Sequence, residues 1–168
     1  NTLGRIHVVS GMAGTGKTRL LDHAFRVWKS QGYEPVGLAI SGKAARGLEN
    51  ATGIPSRTIE SWTYGLGKKA FSINKHSIVV VDEAGMVDSR TMSDLLRRVK
   101  KADARLILVG DAKQLQPIAT TGNPFHTITT LIGDAKLQTI MRQKEAWAVQ
   151  AVHDMADGEA AKVLDAFK

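Results

Sequence analysis

An α/β fold with a predominantly parallel sheet flanked by helices is predicted by three features of the 168-residue sequence. Short apolar runs at 6–9, 35–40, 77–81 and 105–109 alternate with stretches in which apolar residues recur at helical spacing. The third run is continuously apolar, as expected of a strand that is buried on both faces of a parallel sheet, and the fourth is apolar after Arg105. Asp82 and Gly110 follow the third and fourth runs directly, and Gly11 and Gly42 come two positions after the first and second, where parallel α/β folds place their functional loops.

The composition indicates one globular domain, which we expect to span residues 1–168. Hydrophobic residues make up 43% of the chain and charged residues 23%, which is enough apolar material for a real core. The longest apolar runs are strand-sized and the N-terminus has no signal-peptide pattern, so we expect no membrane insertion. The absence of cysteine excludes disulfides and favours a cytoplasmic location.

The net charge points to a polyanionic partner. The chain holds 23 Lys and Arg residues against 16 Asp and Glu residues, for a net charge of +7 and a pI near 9.8. A basic protein of this kind favours nucleic acid as a partner, although charge carries no information about fold.

The helices follow from apolar spacing and capping residues. The first is predicted over 19–29 and ends near Gly32; its apolar stripe consists of Leu21, Ala24, Phe25 and Trp28. Further helices are predicted over 44–51 and, more briefly, over 58–64. Asp88 is the expected N-cap of a fourth helix, whose stripe consists of Met92, Leu95, Leu96 and Val99. Beyond residue 122 the pattern predicts only short helices, which form a helical C-terminal tail.

The loop at residues 11–18 reads Gly-Met-Ala-Gly-Thr-Gly-Lys-Thr, which matches the phosphate-binding loop pattern. Its glycines let successive backbone N–H groups face a phosphate chain, and the helix that follows adds positive potential. Lys17 would reach the β- and γ-phosphates of a nucleotide, and the Thr18 hydroxyl would ligate Mg²⁺. The expected nucleotide-binding residues are Gly11, Ala13, Gly14, Thr15, Gly16, Lys17 and Thr18.

Two further strand ends carry residues that suit the hydrolysis of a nucleoside triphosphate. The run at 77–81 ends in Asp82 and Glu83. The first carboxylate would hold Mg²⁺ through water, and the second would orient and deprotonate the attacking water. The run at 105–109 leads through Gly110 to Gln114, whose amide suits the sensing of a γ-phosphate or a water. The carboxyl ends of parallel strands share one edge, so we expect these residues to converge with the loop on one pocket.

As a set, these motifs resemble those of superfamily 1 DNA helicases, and most closely those of RecD-type enzymes. Motifs I, Ia, II, III and IV of that superfamily correspond in order and spacing to residues 11–18, 41–45, 81–86, 110–115 and 142–143. The segments 54–58 and 82–89 and the tail from 142 to 167 are similar to the helicase part of TraA-type conjugative relaxases. The resemblance implies a RecA-like P-loop NTPase domain, with the strand at 105–109 between the loop strand and the strand at 77–81.

The resemblance also implies roles for residues outside the phosphate-binding loop and the Asp82–Glu83 pair. Arg142 would approach the γ-phosphate, and Gln114 would couple the nucleotide state to DNA. Single-stranded DNA would contact the turn at residues 41–43 and the segment around 58–62. Chemically, Lys43 suits a phosphate contact, and Trp62 or Tyr64 suits base stacking. The implied DNA-binding residues are Ser41, Lys43, Thr58 and Trp62.

Motors of this superfamily bind ATP and DNA between two RecA-like domains, and this sequence carries the motifs of the first. Motifs V and VI are absent from residues 1–168, so we expect the chain to be a fragment of a larger helicase or relaxase. The parent would hydrolyse Mg²⁺-ATP to move on single-stranded DNA, with the second RecA-like domain and the conjugation machinery as partners. We expect the fragment alone to be weakly active or inactive.

Other classes remain open at this point. A GTPase needs an Asn-Lys-x-Asp motif to recognise its base. Residues 74–77 read Asn-Lys-His-Ser, which is similar but lacks the final aspartate. P-loop kinases usually lack a second carboxylate such as Glu83 and add an Arg-rich lid. The third alternative is a DNA-binding module whose nucleotide site is vestigial.

Overall fold

The computed structural model describes residues 5–65, 72–111 and 122–137. Six strands and five helices are defined in these ranges, together with a 3₁₀ turn at Ala84–Met86. The strands are β1 (Ile6–Gly11), β2 (Glu34–Ala39), β3 (Ser56–Thr58), β4 (Ser77–Val81), β5 (Arg105–Gly110) and β6 (Ala135–Leu137). The helices are α1 (Lys17–Ser30), α2 (Gly42–Thr52), α3 (Ile59–Tyr64), α4 (Ser89–Lys101) and α5 (Pro124–Ile132). No helix among these residues is both long and apolar enough to cross a membrane.

The strands form one six-stranded sheet in the order β3-β2-β4-β5-β1-β6. Every pairing in the sheet is parallel. Strand β5 lies between β1 and β4, as the resemblance implied. All carboxyl ends therefore share one edge, which brings the loop after β1 close to the residues that follow β4 and β5.

Two apolar layers cover the faces of the sheet. On one face, Val79, Val81 and Leu106 pack with residues of α3, α4 and α5. On the other face, Ile78 and Val80 pack with residues of α1 and α2. Alternate residues of β4 thus serve opposite layers, which is why this strand reads as a continuous apolar run.

The structure confirms the predicted α/β class, and it corrects the count of strands. Strands β3 and β6 have only three residues each and were not predicted. They are held by backbone pairing with β2 and β1 and show no hydrophobic periodicity of their own. Strand β6 lies in the region where only short helices were expected. The rest of the expected helical tail, beyond residue 137, lies outside the described residues.

Side-chain caps fix the starts of four helices. Ser41, Thr58, Asp88 and Asn123 each accept a hydrogen bond from a backbone N–H in the first turn of the helix that follows. Asp88 was predicted as a cap, and its Oδ1 accepts from the Thr91 N–H at 2.9 Å. The hydroxyl and N–H of Thr91, which both donate to this carboxylate, hold the pKa of Asp88 below its ordinary value.

We expect Asp88→Ala to lower the free energy of unfolding by about 1 kcal/mol, because the N–H of Thr91 loses its partner. Since the folded-state pKa is lowered, the stabilisation by Asp88 is present above the ordinary carboxyl value of 3.8 and is lost as the pH falls below it. Urea unfolding of the parent, Asp88→Ala and Asp88→Asn at neutral pH tests the cap. Asparagine is also a good cap, so Asp88→Asn should recover most of the stability; equal stability of Asp88→Ala and the parent would contradict this assignment.

Candidate nucleotide-binding site

The loop between β1 and α1 has the backbone that a phosphate cradle requires. Gly14 and Gly16 lie in the left-handed region, with φ of 85° and 86°, which glycine adopts without steric cost. Thr15 is buried, and its hydroxyl donates to the Met12 carbonyl at 2.9 Å. The loop therefore winds tightly around a fixed side chain and leads directly into α1, whose first N–H groups have no partner within the helix.

Lys17 is the first residue of α1 and folds back over the loop. Its ammonium group donates to the carbonyls of Gly11 and Met12, the latter at 2.8 Å. The positive charge is thus held above the backbone of the loop. Its charge also acts on the carboxylate of Asp82, where it opposes the rise in pKa that burial causes.

Asp82 and Glu83 follow β4 at the carboxyl edge of the sheet. The Asp82 N–H donates to the Leu38 carbonyl at 2.9 Å, and its Oδ1 accepts from the Glu83 N–H at 3.0 Å. Burial raises the pKa of Asp82, and the hydrogen bond from Glu83 and the charge of Lys17 oppose that rise. A carboxylate that is poorly hydrated in this way is suited to bind a cation.

Glu83 has an unusual backbone conformation. Its φ is 53°, in the left-handed region that is uncommon for residues other than glycine. The turn directs the chain from β4 into the 3₁₀ turn and leaves the Glu83 side chain exposed. A strained backbone at a candidate catalytic residue favours a functional role for its position.

One cleft of about 360 Å³ brings these elements together at the carboxyl edge of the sheet. Of the predicted site residues, Ala13, Gly14, Gly16, Lys17, Thr18, Asp82 and Glu83 line it. Arg19, Gly110 and Asp111 also line the cleft but were not predicted as site residues. Their positions directly after motif I and at the end of β5 were the signals that could have identified them. Gln114 and Arg142 lie outside the described residues.

Close backbone approach explains two glycines near this cleft. A Cβ atom at Gly110 would lie 3.1 Å from the Phe125 ring and 3.2 Å from the Gly85 nitrogen. One at Gly11 would lie 2.6 Å from the Thr15 hydroxyl and 2.9 Å from the Leu137 carbonyl oxygen. Gly11 therefore has no room for a Cβ atom, whereas a Cβ atom at Gly110 would require its neighbours to shift slightly. The ends of β1 and β5 thus lie close to their neighbours.

The candidate DNA-binding residues lie at the same edge of the sheet, on the side of β2 and β3. Ser41 caps α2, with its hydroxyl 3.1 Å from the Ala44 nitrogen, and Lys43 is exposed. Thr58 ends β3 and caps α3. Since β2 and β3 are neighbours in the sheet, these residues lie at adjacent strand ends.

Trp62 is a correction to the sequence-based assignment. Its side chain is 1% exposed and packs within the core layer against α4, so neither face of the ring is open to a base. Tyr64, two residues further on, is 84% exposed. Helix α3 thus buries the indole and exposes the phenol, so that of these two rings the one of Tyr64 is accessible to a ligand.

The chain belongs to the AAA domain family, whose match spans residues 2–168. Its parallel sheet, its strand order and the cleft after β1, β4 and β5 make it a RecA-like domain of the superfamily 1 helicase type. The kinase and GTPase alternatives are not favoured by any of these findings.

Within this class, the chain is similar to conjugal transfer proteins. It is 45% identical over 164 residues to the probable conjugal transfer protein TraA of Sinorhizobium fredii, covering 98% of this chain and 15% of that protein. It is 34% identical over 163 residues to the ATP-dependent RecD2 DNA helicase of Deinococcus radiodurans, covering 93% of this chain and 22% of that protein. The chain therefore spans less than a quarter of either relative.

A solved structure supports the fold. The Pif1 helicase from Candida albicans matches with a TM-score of 0.67 at 22% identity, covering 92% of this chain and 41% of that one. At 22% identity this likeness concerns the arrangement of strands and helices alone.

The residues of the cleft fit a nucleoside triphosphate with a divalent cation. The left-handed glycines and the start of α1 offer backbone N–H groups, and Lys17 adds a full positive charge. The Thr18 hydroxyl and the Asp82 carboxylate are the oxygen ligands that Mg²⁺ prefers, and Mg²⁺ usually keeps the remaining positions for phosphate and water. Nucleotide use is common to this family, and the donor set here suits it.

Proposed function

We propose that this chain is the ATP-binding first motor domain of a DNA helicase or translocase. The observation that carries the proposal is the single cleft lined by Lys17, Thr18, Asp82 and Glu83. A purely structural loop has no need of a cation, a hydroxyl and two carboxylates around one cleft. The vestigial alternative is disfavoured because each of these residue types is present.

Each residue of the cleft has a defined task in this proposal. The loop N–H groups and Lys17 bind the β- and γ-phosphates and offset their negative charge. Thr18 and Asp82 would hold Mg²⁺, which supplies further charge neutralisation when bound. Glu83, exposed at the edge of the cleft, accepts a proton from the attacking water and orients it.

A second cleft supports a path for single-stranded DNA beside the nucleotide site. It measures about 600 Å³ and is lined by Ile40, Glu60, Tyr64, Met86 and Asp88 among others. Ile40 and Tyr64 are 42% and 84% exposed, so both offer apolar surface to a ligand in this cleft. Three carboxylates and one cation, Arg90, line this cleft. The excess of acidic groups disfavours phosphates, so we expect bases to face this cleft and the backbone to face Lys43.

We further propose roles for residues and domains of the longer protein to which this chain would belong. Gln114 and Arg142 would complete the γ-phosphate site, and a second RecA-like domain would close the cleft. Similarity to TraA supports a role in conjugative DNA transfer, and a cysteine-free sequence suits the cytoplasm. Movement on single-stranded DNA, driven by ATP hydrolysis, is the activity that we assign to that protein.

The test is a phosphate-release assay with and without single-stranded DNA, on this chain and on a chain extended at both ends. We expect weak or no turnover by this chain and DNA-stimulated turnover by the extended one. Brisk DNA-stimulated turnover by this chain alone would refute the proposal that it is one half of a motor. No turnover by the extended chain would refute the motor itself.

We expect Glu83→Gln to separate binding from hydrolysis in the extended chain. The amide keeps the size of the side chain but cannot take a proton, so turnover should fall roughly 10²- to 10⁴-fold. Nucleotide affinity, measured by titration calorimetry with Mg²⁺-ATP, should stay within about threefold of the affinity of the unsubstituted protein. The reason is that Glu83 does not contact the phosphates in this proposal. Unchanged turnover would exclude Glu83 as the base; Glu49→Gln, an exposed change on α2, is the matched control.

A further inference from the structure

We propose that a basic patch at the opposite edge of the sheet binds the phosphate backbone of duplex DNA. The patch consists of Arg5, Arg97, Arg98, Lys100 and Lys101. It needs neither the nucleotide cleft nor the proposed motor activity.

The basic patch is far from the cleft in the topology of the fold. Helix α4 ends at Lys101, and β5 begins soon after at Arg105. The other end of β5, at Gly110, lines the nucleotide cleft. The patch therefore lies at the amino-terminal edge of the sheet and the cleft at the carboxyl edge, so the two surfaces can bind different ligands at once.

The charge of the basic patch exceeds what a helix end requires. Basic side chains near a helix C-terminus stabilise the helix dipole, but four of the last five residues of α4 are basic. Arg5, which precedes β1, adds a fifth charge from a separate part of the chain. Two independent segments thus bring positive charge to one place.

The nearby carboxylates leave the patch positive. Asp94 pairs with Arg97 at 2.9 Å, and Asp103 pairs with Arg5 at 3.0 Å. The side chains of Arg97 and Asp103 are 73% and 65% exposed, so these pairs are weak and easily exchanged for other partners. With both carboxylates counted, the patch carries three of the seven net positive charges of the chain.

Residues of the basic patch line two hollows in the protein surface. One of about 690 Å³ is lined by Arg97, Arg98 and Lys101, and another of about 110 Å³ is lined by Arg5 and Lys100. The Arg98 guanidinium lies 5.6 Å from the centre of the Trp62 ring, which restrains it before any ligand binds. Cations thus flank the last turns of α4 on both sides.

The lining of the hollows selects the kind of nucleic acid. Proteins that bind single strands combine positive charge with exposed aromatic rings on which bases stack. Among the described residues that line these hollows, Trp62 is the sole aromatic, and it is 1% exposed. A surface with charge and no stacking platform suits a duplex, in which the bases are already stacked and the phosphates face outward.

The experiment measures binding of this chain to a fluorescent duplex of about 20 base pairs as a function of salt concentration. The test variant is R97Q/K100Q/K101Q, which spares the stacked Arg98. The control R26Q/R46Q/K136Q removes three exposed cations from other surfaces. Each neutralised phosphate contributes about 0.9 to the slope of log affinity against log salt, so the test variant should lose about 2 to 3 from that slope. At low salt its affinity should fall about tenfold or more.

Thermal unfolding of both variants separates a loss of contact from a loss of fold. The proposal is supported if only the test variant binds the duplex more weakly while both keep the melting temperature of the parent. It is overturned if the unsubstituted chain does not bind the duplex at low salt, if the control loses as much affinity as the test variant, or if the test variant loses as much affinity for a single strand of equal length as for the duplex. Tighter binding of a polyglutamate peptide would also overturn it, in favour of an acidic protein partner.

Discussion

Replacing Lys17 by alanine should remove most of the nucleotide affinity of this chain and reduce ATP turnover by the extended protein roughly 10²- to 10³-fold. The ammonium group sits above the loop, held by the carbonyls of Gly11 and Met12, where the terminal phosphates of a nucleotide would lie. Arg19 also lines the cleft, but among the described residues it is the Lys17 ammonium that is fixed over the loop by the carbonyls of Gly11 and Met12. Titration calorimetry with Mg²⁺-ATP and a phosphate-release assay measure the two effects.

The matched control is Lys29→Ala, which removes the same charge from the last turn of the same helix. Lys29 is exposed and lies at the far end of α1 from the cleft, so its removal should leave both measurements unchanged. Thermal unfolding of Lys17→Ala shows whether the loop still folds. If a folded Lys17→Ala variant of the extended protein turned over ATP as fast as the unsubstituted extended protein, the nucleotide site would be vestigial.

Replacing Trp62 by alanine should lower the free energy of unfolding by about 3 to 5 kcal/mol, the range for large aromatic residues in cores. The ring is 1% exposed, packs in the layer against α4 and lies under the Arg98 guanidinium. Its loss would leave a cavity that the short helix α3 cannot close. Urea unfolding of the two proteins measures the difference.

Tyr64→Ala is the informative counterpart, since it removes an aromatic ring from the same helix. This side chain is 84% exposed, so stability should change by less than about 0.5 kcal/mol. If Tyr64 stacks on a base, affinity for single-stranded DNA should fall about tenfold, because stacking on an aromatic ring is worth about 1 to 3 kcal/mol per base. Loss of stability in Tyr64→Ala and none in Trp62→Ala would reverse both assignments.

The sequence predicted the fold wherever an element buries its own apolar stripe or run. The boundaries of β4 agree with the apolar run at 77–81, and the stripe of α4 is buried at Met92, Leu95 and Val99. Strands β3 and β6 could not be predicted in this way. Each is three residues long and exists because a neighbouring strand offers backbone hydrogen bonds, a property of the assembled sheet.

The sequence predicted that the loop and the residues after β4 would line one cleft, because phosphate-loop chemistry depends on residue types at fixed spacing. Gly14, Gly16 and Lys17 must follow one another on one loop, and Asp82 and Glu83 must end one strand. The candidate DNA-binding residues carry no such constraint. Trp62 and Tyr64 are both aromatic and two residues apart, and only the rotation of α3 relative to the sheet decides which of them is buried.

The backbone of Glu83 sets a limit on how stable this domain can become. A left-handed φ of 53° is a conformation that glycine or asparagine adopts at lower energy than glutamate does. Glycine at this position would relieve the strain of the turn, but it would remove the carboxylate from the edge of the cleft. A gain in stability by that change and the presence of a carboxylate in the cleft are therefore mutually exclusive at residue 83.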